Sequence, residues 1–406
     1  MSDFFQNGVV TTLQELGPRD LARIEAELVT FTRERPLVLV LPCLYAELEG
    51  QALPRILDHL REVSYLREVV VSLGSAGLRE FSHAREYFSR LPQKVRILWN
   101  DGPRISAIKE NMRAQGLYLG EPGKGLAAWL AYGYALGDDA VRGIALHDCD
   151  ILTYDRVLLA RLAYPIVSHT LDYMFCKGYY ARVTDRLHGR ATRIFVTPLV
   201  RALQKILGPT PFLGYLDSFR YPLAGEFCMD ADVARTNRIP SNWGLEVGTL
   251  AEVFRNYSTR RVCQVDLGID YEHKHQEAGL DTPRPAGLLR MAREIASTLF
   301  QALASEGAQL SQSFFRSLRA TYLRCAQDAI GQYSDLSAIN GLFYDRHAED
   351  TLAEGFGRAL ERAGEDFLEN PLGAPSIPNW NRVESAIPTV YRQLRDAVEA
   401  DCREGG

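Results

Sequence analysis

Short apolar runs alternate with helical stretches in the first part of this sequence, and this alternation restricts the fold more than any other feature. The run Leu-Val-Leu-Val-Leu at 37–41 follows Pro36, and a continuous apolar run of this length is typical of a strand covered on both faces. Further strands are predicted at 69–71, 95–99, 144–146 and 173–176, and helices at 13–34, 53–61, 78–90 and 125–136. Strands alternating with helices predict an α/β fold with a mostly parallel sheet, whose ligands bind at the carboxyl ends of the strands.

The pattern changes from about Thr282 onward. Apolar residues recur there at helical spacing, over 288–303, 314–330, 352–367 and 383–398, and we find no strand pattern. We therefore predict a domain of the α/β class over residues 1–280 and an α-helical C-terminal extension over 281–406, serving as an oligomerisation or lid element. The length of 406 residues fits two such units.

Charge and cysteine content exclude several classes of protein. The net charge of −5 provides no basic field for nucleic acid, so an anionic ligand must be held by local groups. Seven scattered cysteines indicate neither a disulfide framework nor a zinc site. We find no signal peptide and no apolar run long enough for a membrane span. The sequence is that of a reduced cytoplasmic protein.

Two aspartates one residue apart follow the predicted strand at 144–146. On an extended segment Asp148 and Asp150 point the same way, and together they could bind a divalent cation with the help of phosphate oxygens. The triplet is also compatible with a turn or a helix cap.

A glycine-rich segment at 120–125 precedes the helix predicted at 125–136. Its glycines would let the backbone approach an anion, and Lys124 would add a positive charge for a phosphate. A plain glycine turn before a helix explains the same residues equally well. The spacing does not match a Walker motif.

Other loops carry polar residues whose role stays open at this point. Arg190 and Thr192 could bind a carboxylate or phosphate, or only cap a helix. Glu226 and Glu246 could bind sugar hydroxyls, although a glutamate at a helix start needs no such role. His273 and His275 lie in a charged loop, where histidine could complete a metal site.

Taken in order, these motifs resemble those of retaining glycosyltransferases with the GT-A fold. More narrowly, they are similar to those of the glucosyl-3-phosphoglycerate synthases and their mannosyl relatives, which make compatible solutes. The resemblance spans roughly residues 37–275, and the motifs that carry it lie at 41–47, 71–74, 123–125, 148–150, 222–226, 243–246 and 266–273.

The resemblance implies a Rossmann-like GT-A domain with a donor site, a metal site and an acceptor site. The donor site would consist of Pro42, Cys43, Leu44, Glu47, Ser72, Lys124 and Asp148. Mg²⁺ or Mn²⁺ would be bound by Asp150, Asp148 and His273, with Asp150 the more direct ligand. Gly189, Arg190, Thr192 and His275 would bind the acceptor, and Glu246, Glu226 and Arg190 would be the catalytic residues.

The resemblance also implies the substrates. The donor would be UDP-glucose, GDP-glucose or GDP-mannose, and the acceptor 3-phosphoglycerate or glycerate. Cys43 and Leu44 replace the usual small residues of the nucleotide loop. His275 stands where the phosphoglycerate enzymes tend to have an asparagine, which leaves glycerate open as the acceptor. We expect a homodimer, with no nucleic-acid or membrane partner.

Two other functions are compatible with parts of this pattern. A sugar-phosphate nucleotidyltransferase also uses a Rossmann-like sheet, a Gly-Lys loop and paired aspartates, but it would carry a glycine-rich basic stretch directly after the first strand. A non-catalytic nucleotide-sugar-binding protein is the second alternative, and Asp148, Asp150 and His273 argue against it.

Overall fold

The computed structural model describes residues 6, 8–17, 20–268 and 287–404, and in these residues the chain builds one eight-stranded sheet. The strands are β1 (Thr11–Leu13), β2 (Leu37–Leu44), β3 (Leu66–Gly74), β4 (Val95–Trp99), β5 (Gly143–Leu146), β6 (Phe175–Tyr179), β7 (Phe227–Asp230) and β8 (Val262–Asp266). Their order across the sheet is β1-β8-β6-β7-β5-β2-β3-β4. Only β7 runs antiparallel to its neighbours, β5 and β6.

Helices cover the sheet and form the C-terminal part. They are α1 (Leu21–Phe31), α2 (Ala52–Leu60), α3 (Leu78–Phe88), α4 (Pro103–Ala114), α5 (Lys124–Leu136), α6 (Arg156–Val167), α7 (Thr197–Leu207), α8 (Pro211–Asp217), α9 (Ala231–Thr236), α10 (Leu245–Asn256), α11 (Leu288–Ser305), α12 (Gln312–Ile339), α13 (Arg346–Glu369), α14 (Trp380–Ala386) and α15 (Val390–Glu404). Short 3₁₀ helices occupy Tyr45–Glu49 and Thr259–Arg261, and a π-helix occupies Ala191–Val196.

The continuous apolar run of β2 is buried on both faces, as predicted. Its side chains alternate between two hydrophobic cores, because successive residues of a strand point to opposite faces of the sheet. Val38 and Val40 pack in the core that includes α4, α5 and the C-terminal helices. Leu37, Leu39 and Leu41 pack in the other core, with α2, α3 and α6. The result is a three-layer α/β/α arrangement.

The predicted strands all form, with boundaries within a few residues. The helix predicted at 13–34 is wrong at its start, because Leu13 belongs to β1 and pairs with Val265 of β8. That helix begins at Leu21, where the side chain of Asp20 accepts a hydrogen bond from the backbone N–H of Arg23 and so caps it. The strands β1, β7 and β8 and the helices α4, α6, α8 and α9 were not predicted. Helices beginning near Arg193 and Glu246 were considered only as alternatives to a functional role.

The C-terminal part of the described chain is helical, as predicted. The helix predicted at 383–398 is instead two helices, α14 and α15, separated at Pro388, which cannot continue a helix. The predicted domain boundary at residues 280 and 281 lies outside the described residues and stays a prediction. No helix in the described ranges is both long and apolar enough to cross a membrane.

Candidate active site

A cavity of about 1060 Å³ opens at the carboxyl ends of the central strands. Residues that follow β2, β3, β4, β5 and β6 converge on it, since the carboxyl ends of parallel strands meet at one edge of the sheet. The strand ends contribute Pro42, Cys43, Leu44, Gly74, Ser75, Asn100, Asp101, Asp148, Asp150 and Tyr180 to its wall. The first residues of α5 and α10 and the segment 182–191 complete the enclosure.

Charged side chains from three separate segments meet at this cavity. Nζ of Lys124, at the start of α5, lies 2.8 Å from Oδ1 of Asp148 and 3.0 Å from Oε1 of Glu246. Glu246, in the first turn of α10, is 8% exposed. Burial alone would lower the pKa of Lys124, but the charges of Asp148 and Glu246 raise it well above its usual range. Lys124 therefore stays charged between two carboxylates.

Asp150 lies beside Lys124 and Asp148, and its surroundings disfavour the ionised form of its carboxyl group. Burial, and then the negative charge of Asp148, raises the pKa of Asp150 from 3.8 to about 7. A divalent cation would offset both penalties, because its positive charge stabilises the ionised form of the adjacent carboxylates that coordinate it. The pair therefore fits a Mg²⁺ or Mn²⁺ ion.

The predicted third metal ligand, His273, and the predicted acceptor residue His275 lie outside the described residues. Within the described ranges, no group of three or more histidine, cysteine, aspartate or glutamate side chains is arranged to hold a metal ion. Phosphate oxygens of a substrate could complete the shell around an ion held by Asp148 and Asp150.

The glycine-rich segment before α5 fits both of its predicted roles, a glycine turn before a helix and a loop that presents Lys124 to a phosphate. A Cβ on Gly123 would lie 2.7 Å from the carbonyl oxygen of Ser241, and one on Gly125 would lie 2.2 Å from that of Pro240. These glycines are therefore required for a close backbone packing contact. Lys124, between them, still lines the cavity.

The predicted nucleotide residues all lie on the cavity wall: Pro42, Cys43, Leu44, Glu47 and Ser72. Ser72 has an evident structural role as well, because its hydroxyl donates a 2.7 Å hydrogen bond to the carbonyl of Ala127. This bond ties β3 to α5, which carries Lys124. The position of the nucleotide within the cavity stays a prediction.

The predicted acceptor loop lies at another part of the wall. Gly189 has a φ of +74°, a left-handed conformation that favours glycine, and leads through Arg190 into the π-helix Ala191–Val196. Gly189 and Arg190 line the cavity. Thr192 does not: it is 5% exposed, and its hydroxyl has no hydrogen-bond partner among the described residues.

Glu226 lies behind the wall. It is fully buried, and its Oε2 accepts a 2.9 Å hydrogen bond from the hydroxyl of Tyr180, which lines the cavity. Lys177, also buried, donates to the carbonyl of Ala224 at 2.6 Å. Burial lowers the pKa of Lys177 to about 8, against the charges of Glu246 and Glu226. Glu226 can thus act on the cavity through Tyr180.

Several wall residues escaped the sequence analysis. Asn100 and Asp101 directly follow the predicted strand at 95–99, so the strand-end argument that identified Asp148 would have found them. Tyr180 follows β6 in the same way. Glu349 of α13 does not line the cavity but contacts Arg190. No local sequence pattern distinguishes this glutamate from the others in the C-terminal helices.

Comparisons with known proteins agree with this geometry. No protein-family model matches the chain. The glucosyl-3-phosphoglycerate synthase of Persephonella marina is 49% identical over 401 residues, which is 99% of both chains. That of Methanococcoides burtonii is 39% identical over 410 residues, covering 99% of this chain and 98% of the relative.

A solved structure shares the fold. The crystal structure of glucosyl-3-phosphoglycerate synthase from Mycobacterium tuberculosis, in complex with Mn²⁺, UDP and glucosyl-3-phosphoglycerate, matches with a TM-score of 0.53 and 20% identity. The match covers 72% of this chain and 88% of that one. This likeness confirms the predicted GT-A fold with its helical C-terminal part.

Proposed function

The chain belongs to the glucosyl-3-phosphoglycerate synthase family, and on this premise we propose how its residues transfer glucose from a nucleotide sugar to 3-phosphoglycerate. One observation carries the proposal. Asp148, Asp150, Lys124 and Glu246 meet in the same cavity as Arg190, so groups suited to a diphosphate and groups suited to an anionic acceptor face one space. Neither alternative, a nucleotidyltransferase or a non-catalytic binding protein, is favoured by relatives that align over nearly the whole chain.

The donor occupies the side of the cavity formed by β2 and β5. Pro42, Cys43, Leu44, Glu47 and Ser72 bind the nucleotide. Lys124 binds the diphosphate, for which its charge is suited. The base is uracil or guanine, and the M. tuberculosis relative, crystallised with UDP, supports uracil.

Asp148 and Asp150 would hold Mg²⁺ or Mn²⁺, with His273 as the third ligand. When bound, the ion would neutralise the negative charge that develops on the departing diphosphate. The carboxylates otherwise repel the donor, because they are the same sign as its phosphates. The raised pKa of Asp150 supports this assignment, since a site that disfavours its own ionised carboxylate gains most from a cation.

The acceptor occupies the side formed by the segment 182–191. Gly189, Arg190 and His275 bind 3-phosphoglycerate, with Arg190 placing its acidic end so that the hydroxyl meets the anomeric carbon. Thr192, predicted as a fourth acceptor residue, does not line the cavity and has no direct role in this proposal. The hydroxyl oxygen forms the new bond to that carbon as the carbon–oxygen bond to the diphosphate breaks on the same face. The hydroxyl proton passes to the departing diphosphate, and the configuration is retained.

Glu246 and Glu226 act near the transferred sugar. Glu246 lies on the cavity wall and Glu226 acts through the hydroxyl of Tyr180. Glu246 binds a sugar hydroxyl directly, and the negative charge of both carboxylates stabilises positive character on the ring. The protein works as a homodimer in this proposal.

The decisive experiment replaces Asp150 by asparagine, which keeps the side-chain size and removes the charge. We expect loss of transfer of at least about 100-fold with UDP-glucose, Mn²⁺ and 3-phosphoglycerate, measured as release of the nucleoside diphosphate. The exposed Asp58, replaced by asparagine, is the control and should keep full activity. Full activity of the wild type in EDTA would contradict the metal's role, and release of pyrophosphate would indicate a nucleotidyltransferase.

A further inference from the structure

A carboxylate from the C-terminal helices reaches the back of the proposed acceptor site. Glu349 lies in the first turn of α13 and is 3% exposed. Its Oε1 accepts a hydrogen bond from Nε of Arg190 at 2.7 Å, and its Oε2 accepts one from Nη1 of Arg193 at 3.3 Å. One buried carboxylate therefore binds two arginines of the acceptor loop.

Arg193 extends this contact into the loop that precedes it. Its Nε donates to the carbonyl of His188 at 2.8 Å, and its Nη2 donates to that of Leu187 at 3.2 Å. Its guanidinium also lies 4.9 Å from the ring centre of Tyr333 of α12. Because His188 and Leu187 line the cavity, Arg193 connects the cavity wall to the helices behind it.

A second contact fixes the same segment. The backbone N–H of Phe343, between α12 and α13, donates to the carbonyl of Asp185 at 2.8 Å. The guanidinium of Arg186 lies 5.2 Å from the ring centre of Phe343. The segment 182–190 therefore lies between the cavity and the C-terminal helices, which contact it at Asp185, Arg186 and Arg190.

Arg190 is the member of this set that can contact a ligand. It lines the cavity, with a side chain 39% exposed. Arginine has five N–H donors in a rigid plane, and Glu349 uses the one at Nε. Among the described residues, only Glu349 accepts a hydrogen bond from Arg190, so its terminal nitrogens can bind an anion. The guanidinium is already oriented before that anion binds.

We propose that Glu349 is a positioning residue of the α-helical C-terminal part, one that orients Arg190 for the anionic acceptor and leaves the donor site untouched. The inference rests on the proposed role of Arg190 in acceptor binding. Its physical basis is that an arginine without a fixed partner loses rotamer freedom when it binds a ligand, whereas a held arginine has already lost it.

The test compares Glu349→Gln with a matched carboxylate on the same helix. Asp366 also pairs with an arginine, Arg293, through two hydrogen bonds of 2.7 Å, and neither residue lines the cavity. In the full-length protein, E349Q should raise the KM for 3-phosphoglycerate about tenfold. The KM for the nucleotide sugar should stay within about twofold, and D366N should leave both KM values within that range.

A double variant separates a specific role from a general loss of structure. In the R190A background, E349Q should add nothing to the acceptor KM, because the residue through which it acts is absent. The inference would be overturned if the effects of R190A and E349Q on the acceptor KM multiplied in the double variant. An unchanged acceptor KM in E349Q alone would overturn it as well. If E349Q does not fold, E349D, which keeps the charge but shortens the side chain by one methylene, replaces it in the same comparison. An unchanged acceptor KM in R190A alone would instead refute the proposed acceptor site, and with it this inference.

Discussion

The ammonium of Lys124 lies within 3.0 Å of both carboxylate oxygens of Asp148, at 2.8 Å from Oδ1 and 3.0 Å from Oδ2. The first aspartate of the predicted Asp-x-Asp element thus has an internal counter-ion, whereas the pKa of Asp150 is raised by burial and by the charge of Asp148. The two aspartates are therefore inequivalent in the free protein. Asp148 is paired with Lys124, whereas burial and the charge of Asp148 disfavour the ionised form of Asp150, so an added cation would stabilise Asp150 more.

Replacing Lys124 by methionine should impair donor use first. The variant loses the positive charge that faces the diphosphate, so kcat/KM for the nucleotide sugar should fall about 100-fold, the range of a lost charge-assisted hydrogen bond. Steady-state kinetics with varied donor would measure it. Lys205→Met, at an exposed position of α7, is the control, and equal losses in both variants would contradict the role of Lys124.

Gly225 limits the space available to that ion pair. A Cβ at this position would lie 2.3 Å from Oδ2 of Asp148 and 3.0 Å from Nζ of Lys124. Gly225→Ala should therefore displace the carboxylate and lower kcat at least about tenfold. Calorimetric titration with Mn²⁺ should show weaker binding in the same variant.

A matched glycine substitution provides the control for G225A. A Cβ on Gly331, inside α12, meets nothing within 4 Å. Gly331→Ala should keep full activity and raise the free energy of unfolding by about 0.5–1 kcal/mol, because alanine is the better helix former. Full activity in G225A would show that Asp148 tolerates displacement.

The sequence was sufficient to predict those site residues that are recognised from their immediate neighbours in the chain. Asp148 and Asp150 follow a strand, Lys124 begins a helix, and both positions can be read from local patterns. The carboxyl-end rule then brings them together. Glu246 and Lys124 are 122 residues apart, and only the fold shows that they are paired.

The features that were missed depend on long-range packing. β7 has only four residues, and its antiparallel place between β5 and β6 follows from pairing partners elsewhere in the chain. Leu13 was assigned to a helix because apolar spacing continued through it, but pairing with β8 made it a strand residue. Glu349 and Arg190 are in contact although they are 159 residues apart in the sequence, and a local sequence pattern cannot predict a contact between such distant residues.

Trp380 should be the principal anchor of the C-terminal helices. Its ring stacks on that of Trp129 at 4.1 Å between centroids, and its Nε1 donates to the carbonyl of Trp129 at 3.2 Å. Trp380→Ala should lower the free energy of unfolding by about 3–5 kcal/mol, the cost of deleting a buried tryptophan. Urea unfolding would measure the loss, and Trp380→Phe, which keeps a ring, should lose less. An unchanged midpoint in W380A would contradict this assignment.

His147 should make the protein sensitive to acid. The side chain is fully buried, and neither ring nitrogen has a hydrogen-bond partner among the described residues. Burial lowers its pKa from 6.5 to about 4. The unfolded chain therefore binds a proton at a pH where the folded protein does not.

The sign of the effect follows from this difference in proton binding. Above pH 6.5 the imidazole is neutral in both states and contributes no pH dependence. Between 6.5 and about 4 the unfolded state binds more protons, so the free energy of unfolding falls by about 1.4 kcal/mol for each pH unit of acidification. Asp150, whose pKa is raised to about 7 in the folded protein, contributes a slope of the opposite sign in this window. The His147 contribution is therefore the difference between wild type and a His147 variant, measured by urea unfolding from about pH 7 to about pH 5.

Two substitutions isolate the contribution of His147. His147→Leu removes the buried titrating group. On acidification from about pH 6.5 to about pH 5, the free energy of unfolding of this variant should therefore rise by about 1.4 kcal/mol per pH unit relative to that of the wild type. His347→Leu, at an exposed position of α13, should keep the wild-type slope. If wild type and H147L lose stability in parallel on acidification, the proton that unfolds the protein binds elsewhere.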